Sequence, residues 1–394
     1  YLPLYIQNFY SGQSPAYVYL SAPIISIFGL NNLSIRLLNA ICYSTIFPII
    51  NEIVKRITDD KYLRYLIMGI YTFSPFIVIF SRIGLDCALL FPFITTALYF
   101  MILAYEKQET KYFIISAIIF SLSMYTYAIS YIIIPLFLVG AFVFFIRSEK
   151  ITKKQAILTI ATFLIVSVPI IIQAYTIVFL DKSWNLGPFT FLATETKRAK
   201  EISPEYISTN IKRILWLLLV KEDSIFSSST SFNFYGWSIP FIIIGCYQST
   251  KKAILSLKNK EINCESLAVL LFISTSACFL LLQGACLYHL NSLIISILVF
   301  ITIAIKTITK TRKKEILSLL SIFYVISAIV FTNYYFIKKE HNYRFDTQAT
   351  LSNAAWDEVF NEFENNKKLS EKELCFIASD QNWVYIPYFL GGID

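Results

Sequence analysis

The sequence predicts an all-α polytopic membrane protein, with about ten transmembrane helices, an enlarged outer loop and a small extracytoplasmic C-terminal cap. Three observations carry this expectation. Of the 394 residues, 56% are hydrophobic and only 15% are charged, with a mean hydropathy of +0.60. An ordinary soluble domain carries about 25% charged residues. Ten runs approach the roughly 20 apolar residues that a bilayer-crossing helix needs. Basic residues, finally, recur in alternate loops. The composition excludes disorder, collagen, a disulfide scaffold and a nucleic-acid-binding domain. The net charge of +8 reflects the loops on one side of a membrane, and no nucleic-acid partner is expected.

The runs lie near 33–54, 63–80, 87–105, 112–128, 130–146, 155–180, 234–249, 266–283, 287–305 and 316–335. Pro48, Pro75, Pro92, Pro135, Pro169 and Pro240 fall in them. Membrane helices tolerate proline because neighbouring groups re-satisfy the freed carbonyls. The stretch 111–147 is too long for one crossing, and YTYAIS, ending at Ser130, is its expected turn. One set of loops holds Lys55, Arg56, Lys61 and Arg64, then Lys107 and Lys111, then Arg147, Lys150, Lys153 and Lys154. It continues with Lys251, Lys252, Lys258 and Lys260, then Lys306, Lys310, Arg312, Lys313 and Lys314. These are 19 of the 34 lysines and arginines. The opposing short loops carry little more than Arg82. The positive-inside rule makes the basic set cytoplasmic. The start of the chain, loop 181–233 and the tail are then extracytoplasmic.

Two regions are expected: a transmembrane domain over 1–335, containing loop 181–233, and an extracytoplasmic segment over 336–394. The tail has ten acidic and six basic residues. Residues 350–366 suit an amphipathic helix with Leu351, Ala355, Val359 and Phe363 on one side. LCFIAS (374–379) reads as a short strand, 380–382 as a turn and WVYIPYFL as a second apolar segment. Loop 181–233 is too long for a passive connector. Its ILWLLLV (214–220) is too short to span, and Trp184, Trp216 and Trp237 suit the membrane interface. No internal repeat and no matched pair of broken spans is visible, which argues against a secondary transporter. The seven cysteines include no CxxC pair, so a zinc or redox motif is not expected. The two histidines, His289 and His341, are too few for a histidine-built metal site. The chain starts at Tyr1 without a signal-peptide pattern, and is expected to be an interior piece of a longer protein.

Ionisable residues near a membrane are functional candidates, because burying charge is costly. In FSRIGLDCALLFPF, Arg82 and Asp86 sit at the outer mouth between two spans. Four apart on a helical turn, they would share a face and pair. The plainer reading makes Asp86 the N-cap of the span that begins at Cys87. The segment before the first span has a turn at Gly12, Gln13, Ser14 and Pro15, and then an apolar, proline-interrupted stretch with Tyr17 that suits a membrane-lying helix. Arg36 follows on the outer side, either to meet a lipid phosphate or to snorkel. Glu222 and Asp223 precede a serine run, and an acidic pair in a loop is ordinarily just solvated. Gln283, His289 and Asn291 flank another outer span end, where a histidine is more often an interfacial hydrogen-bonding residue than a catalyst.

SGQSPAYVYLSAPIISIFGLNNLSIRLLNA resembles the outer segment of bacterial protein-mannosyltransferase-like glycosyltransferases. FSRIGLDCALLFPF resembles that family's Ser-Arg-x-x-x-Asp segment. KEDSIFSSSTSFNFYGWSIPFIIIG and WVYIPYFL are also similar to stretches of bacterial members. The resemblance implies a GT-C fold with an extracytoplasmic active site. It also implies transfer of a hexosyl or pentosyl unit from a polyprenyl-phosphate donor to a lipid, glycan or protein acceptor. The family's main catalytic acid, in its first outer loop, would lie upstream of Tyr1. Asp86 matches the second acidic position and is the catalytic candidate within this chain. Arg82, Arg36, Gln13, Tyr17, Glu222, Asp223, His289 and Asn291 are the substrate-binding candidates. His289 and Asn291 fall where many relatives have Arg or Asn.

The chemistry suits these residue types. A polyprenyl chain dissolves among Phe- and Ile-rich spans, and its phosphate fits an arginine fork at the interface. Glycosyl transfer needs a carboxylate for the acceptor hydroxyl, and cationic or divalent-metal help for the departing phosphate. Two other readings stay open: a flippase or transporter of lipid-linked sugars, and a non-catalytic relative.

Overall fold

The computed structural model describes residues 2–7, 12–193, 202–219, 234–310, 313–333 and 335–336. It begins with short strands β1 (Leu2–Pro3), β2 (Ile6–Gln7) and β3 (Gly12–Gln13). Helices α1 (Pro15–Phe28), α2 (Asn32–Thr45), α3 (Phe47–Ile57), α4 (Lys61–Phe73) and α5 (Pro75–Arg82) follow. A 3-10 turn, Asp86–Leu89, leads into α6 (Leu90–Lys107), α7 (Thr110–Met124), α8 (Ser130–Arg147) and α9 (Lys153–Phe179). After them come β4 (Trp184–Leu186), β5 (Phe189–Phe191), α10 (Ile207–Leu219), α11 (Ser238–Asn259) and α12 (Cys264–Leu280). A second 3-10 turn, Leu287–Leu290, precedes α13 (Leu293–Ile308) and α14 (Lys313–Asn333). β5 lies between β1, parallel to it, and β4, antiparallel, so the start of the chain is tied to the segment that follows α9. β2 and β3 form a separate antiparallel pair.

All ten expected apolar runs coincide with helices, and the fold is an all-α membrane bundle. Five helical stretches are individually long and apolar enough to cross a bilayer: Leu33–Ile57, Asp86–Lys107, Ser130–Arg147, Lys153–Phe179 and Lys313–Asn333. Two further pairs reach that length together, α4 with α5 and α11 with α12, bent by 47° and 113°. Helices α1, α7 and α13 are shorter. The division of 111–147 falls at residues 125–129, between α7 and α8, as the sequence suggested. The bend between α4 and α5 was not foreseen. Its cause is local: Ser74, directly before Pro75, is extended at φ −65°, ψ 139°. A residue preceding proline is pushed out of the helical region. The tail expectations, including the helix over 350–366, lie outside the described residues.

Several helices are started by polar caps next to the basic loops. Asp60 accepts from the Tyr62 and Leu63 N–H groups at the start of α4. Thr152 and Gln155 form a reciprocal capping box at α9. Such caps satisfy amide groups that a helix start leaves free. The core is built on α6 and α13, with Phe91, Leu98, Leu293, Leu298, Phe300 and Ile301 fully buried. α11 crosses α13 at Gly245, where an added Cβ would run into the Phe300 backbone. Small residues permit this close approach between membrane helices. α9 and α14, by contrast, expose isoleucines and valines along much of their length, as lipid-facing helices do: Ile157 and Ile165 on one, Ile322 and Ile329 on the other.

Candidate functional site

Residues 83–89, between α5 and α6, form the centre of the candidate site. Ile83 (ψ 133°) and Leu85 (ψ 146°) are extended, so the chain leaves the helix after Arg82 before it coils again at Asp86. This corrects the expected pairing of Arg82 with Asp86. Without a continuous helical turn the two do not share a face, and Arg82 makes no ion pair or hydrogen bond among the described residues. Its guanidinium is instead packed 4.4 Å from the Phe336 ring centre and 5.5 Å from that of Tyr335.

Asp86 is buried, at 8% exposure. Its Oδ2 accepts the Ser14 backbone N–H at 2.8 Å, and its Oδ1 accepts the Cys87 N–H at 2.8 Å. Each carboxylate oxygen offers two acceptor positions, and these amides fill one on each. The expected N-cap role is also corrected. Leu85 holds the cap position of the 3-10 turn, and α6 begins only at Leu90. The carboxylate instead joins the loop to Ser14, the N-cap of α1. It therefore sits at the positive end of the α1 dipole, which favours an anion.

Other side chains fix the loop through its carbonyls. The Asn39 amide of α2 donates to Ile83 O at 2.5 Å and Leu85 O at 3.2 Å. The Tyr43 hydroxyl donates to Ala88 O at 3.1 Å, and the Tyr71 hydroxyl donates in turn to Tyr43 O at 2.5 Å. From the far end of the sequence, the Asn291 amide donates to Cys87 O at 2.7 Å. Tyr17 is buried and its hydroxyl donates to Ile35 O. Gly84 makes this meeting possible: a Cβ there would lie 2.5 Å from Ile35 Cγ2 and 3.3 Å from Tyr17 Oη.

The structure thus brings Asp86, Tyr17 and Asn291 to one loop. Asn291 follows a 3-10 turn in which His289 Nδ1 accepts the Cys286 N–H at 2.8 Å. The His289 ring stacks on Tyr127, 6.0 Å between centres. The Tyr125 carbonyl, two residues before Tyr127, accepts the Ala16 N–H at 3.1 Å, so the 125–129 turn is tied to the first turn of α1. Gln13 pairs with Ile6 in the short hairpin and is half-buried. Arg36 is exposed on α2. Glu222 and Asp223 lie outside the described residues. Among the described residues, no three His, Cys, Asp or Glu side chains cluster as a metal site would require. Sequence reading placed Ser14 only in a turn and missed Asn39, Tyr43 and Gly84. A buried asparagine amid the apolar residues of α2 was a usable signal for Asn39. Ser14 acts through its backbone, which residue type does not reveal.

The described residues form a polytopic helical membrane bundle of GT-C-like architecture, with a buried carboxylate between α5 and α6. Residues 12–172, which contain the whole loop and most of its clamps, match the family model of dolichyl-phosphate-mannose-protein mannosyltransferases. The fold is similar to that of ArnT from Cupriavidus metallidurans. With the apo crystal structure the TM-score is 0.51 at 11% identity, covering 75% of this chain and 49% of that one. With the structure bound to undecaprenyl phosphate it is 0.53 at 10% identity, covering 87% and 57%. This chain thus spans about half the length of the ArnT chains it matches. No curated protein matches the sequence.

Proposed function

We propose that the protein transfers a sugar from a polyprenyl-phosphate donor to an acceptor hydroxyl at the extracytoplasmic face. The observation that carries this reading is the buried Asp86, fixed at the start of α1 on a loop held by Asn39, Tyr43 and Asn291. A structural salt bridge would not need such a frame, and Arg82 is not its partner. The matched family and the ArnT bound to undecaprenyl phosphate support a polyprenyl-phosphate substrate.

In this reading Asp86 orients the acceptor hydroxyl and takes up its proton as the oxygen attacks the anomeric carbon. The bond between that carbon and the phosphate oxygen breaks, and polyprenyl phosphate leaves with the electron pair. Arg82 meets the phosphate. Its faces are covered by Tyr335 and Phe336, which restricts the fork, and its donors are not committed to an acid. A planar guanidinium held this way suits bidentate phosphate binding. Arg36, exposed on α2, meets the same headgroup or that of a neighbouring lipid. Tyr17 and Asn291 position the loop, the Tyr17 hydroxyl by donating to Ile35 O and the Asn291 NH2 group by donating to Cys87 O.

The experiment is the transfer rate of the full-length protein carrying Asp86→Asn, with melting temperature checked alongside. The amide keeps the shape and can still accept one backbone N–H, but it loses the charge and the basicity. A folded variant that turns over like the wild type would return Asp86 to a purely structural role. Lipid-linked sugar transport is the second reading, and the bent pairs α4–α5 and α11–α12 favour it, because broken helices serve transporters. Donor crossing the bilayer without product formation would establish that reading.

A further inference from the structure

We infer that the groove between α4 and α14 is a binding site for an anionic phospholipid, with the lipid phosphate at the end marked by Lys313 and Lys314. This groove encloses about 1270 Å³. Leu66, Gly69 and Phe73 line it from α4, and Leu317, Val325 and Ile329 from α14. Hydroxyls among its lining residues do not make it a polar site: that of Ser321 donates to Leu317 O of its own helix at 2.8 Å and that of Tyr235 to Phe73 O at 2.5 Å. Both walls belong to segments of membrane-crossing length and apolarity. A gap there, left empty, would forfeit dispersion contacts along two helices, and within a bilayer the material at hand to fill it is lipid chain.

The charges decide which lipid. Lys313 and Lys314 line the groove, whereas Arg82 does not. Phe336 stands at the opposite end, where it lines the groove and also packs against the Arg82 guanidinium. A lipid seated here meets cations at the lysine end and an aromatic ring at the other. Asp60 accounts for only one of the two cations, through its 2.8 Å contact with Lys313, whose side chain still keeps 52% exposure. The positive-inside rule puts this end at the cytoplasmic leaflet, where anionic phospholipids reside and where basic pockets between helices hold their headgroups. The site is therefore separate from the donor phosphate position assigned above, and neither depends on the other.

The test uses the full-length protein in detergent. Retention of phosphatidylglycerol and of phosphatidylcholine is measured by native mass spectrometry, with undecaprenyl phosphate as competitor. Phosphatidylglycerol should be retained preferentially. Lys313→Gln and Lys314→Gln should each lower its retention about fivefold, as expected for one basic residue near a lipid phosphate. Ser321→Trp, which fills the groove, should abolish it. Asp60→Asn, which frees Lys313 while keeping both lysines, should leave retention intact or raise it. The lysine variants alter exposed side chains, and their melting temperatures without added lipid confirm the fold. Equal retention of both phospholipids, wild-type retention by the double lysine variant, or displacement by undecaprenyl phosphate would each overturn the assignment. So would a dimer that Ser321→Trp dissociates. No sugar donor is present, so failure here leaves the transfer reading untouched.

Discussion

The loop bearing Asp86 and the α4–α14 groove differ in how they are built. The loop is held by hydrogen bonds from Asn39, Tyr43 and Asn291, partners 44 to 204 residues away in sequence. The groove has mostly apolar walls, whose hydroxyls at Ser321 and Tyr235 are spent on the Leu317 and Phe73 carbonyls, and its ion pair is Lys313 with Asp60 at one end. A buried carbonyl or carboxylate must find a partner or cost free energy, so the polar frame admits one arrangement. Apolar walls impose no such direction and accommodate a flexible chain. A rigid polar frame and an apolar groove thus occur in one bundle, with Phe336 in contact with both the groove and Arg82.

Substitutions can sharpen or break this contrast. The largest effect is expected for Asp86→Asn, a loss of about a hundredfold or more in turnover, with a stability cost of about 1–3 kcal/mol because the amide accepts only one of the two backbone N–H groups that the carboxylate holds. Transfer assays on the purified full-length protein measure it. Next, Gly84→Ala forces a methyl group against Ile35 and Tyr17, and should cost about 1–3 kcal/mol in stability. Asn39→Leu leaves the Ile83 and Leu85 carbonyls without their donor, at a similar cost of about 1–3 kcal/mol. Both should depress turnover while Asp86 is still present. Denaturant or thermal unfolding in detergent reads the first effect and transfer the second. Unchanged stability would mean that the frame is not rigid.

A smaller effect is expected for Arg82→Lys, about tenfold in transfer, because the charge is kept while the fork and its ring stacking are lost. A wild-type rate would remove Arg82 from the phosphate. The smallest effect belongs to the groove end. Burial raises the Asp60 carboxyl pKa, but the Lys313 side chain and the Tyr62 and Leu63 N–H groups outweigh this and hold it below its ordinary value. A carboxyl whose folded pKa is depressed stabilises the fold fully above its unfolded pKa of about 3.9. That contribution is lost as pH falls from there through the folded value. Asp60→Asn should therefore cost about 1 kcal/mol or less near neutrality, the amide keeping the N-cap. It should also flatten the melting profile below about pH 4. An unchanged acid profile would show that the Lys313 contact does not matter.

The apolar runs were legible because a bilayer imposes them, and each run found a helix; of the ten spans expected, five described stretches, or seven with the bent pairs, reach crossing length. The turn dividing 111–147 was legible for the same reason. The Arg82–Asp86 relation was misread, because spacing of four implies a shared face only if the helix continues. Ile83 and Leu85 are extended, and nothing in their residue types declares that. The break at Ser74 was legible in retrospect from Pro75, whereas the α4–α14 groove joins segments some 250 positions apart and leaves no local mark.

The sequence alone determined the membrane class, the apolar runs and the alternating basic loops, since these follow from transfer of side chains between water and hydrocarbon, residue by residue. It also marked Asp86 as a residue that needs a reason to be near a membrane. Tertiary structure decided what that reason is. Only the meeting of α1, α2 and the start of α13 at loop 83–89 shows that the carboxylate binds the Ser14 amide, that Arg82 is not its partner, and that Asn39 and Asn291 hold the loop. Hydrogen bonds are directional and act over about 3 Å, so their partners are set by where the chain returns in space.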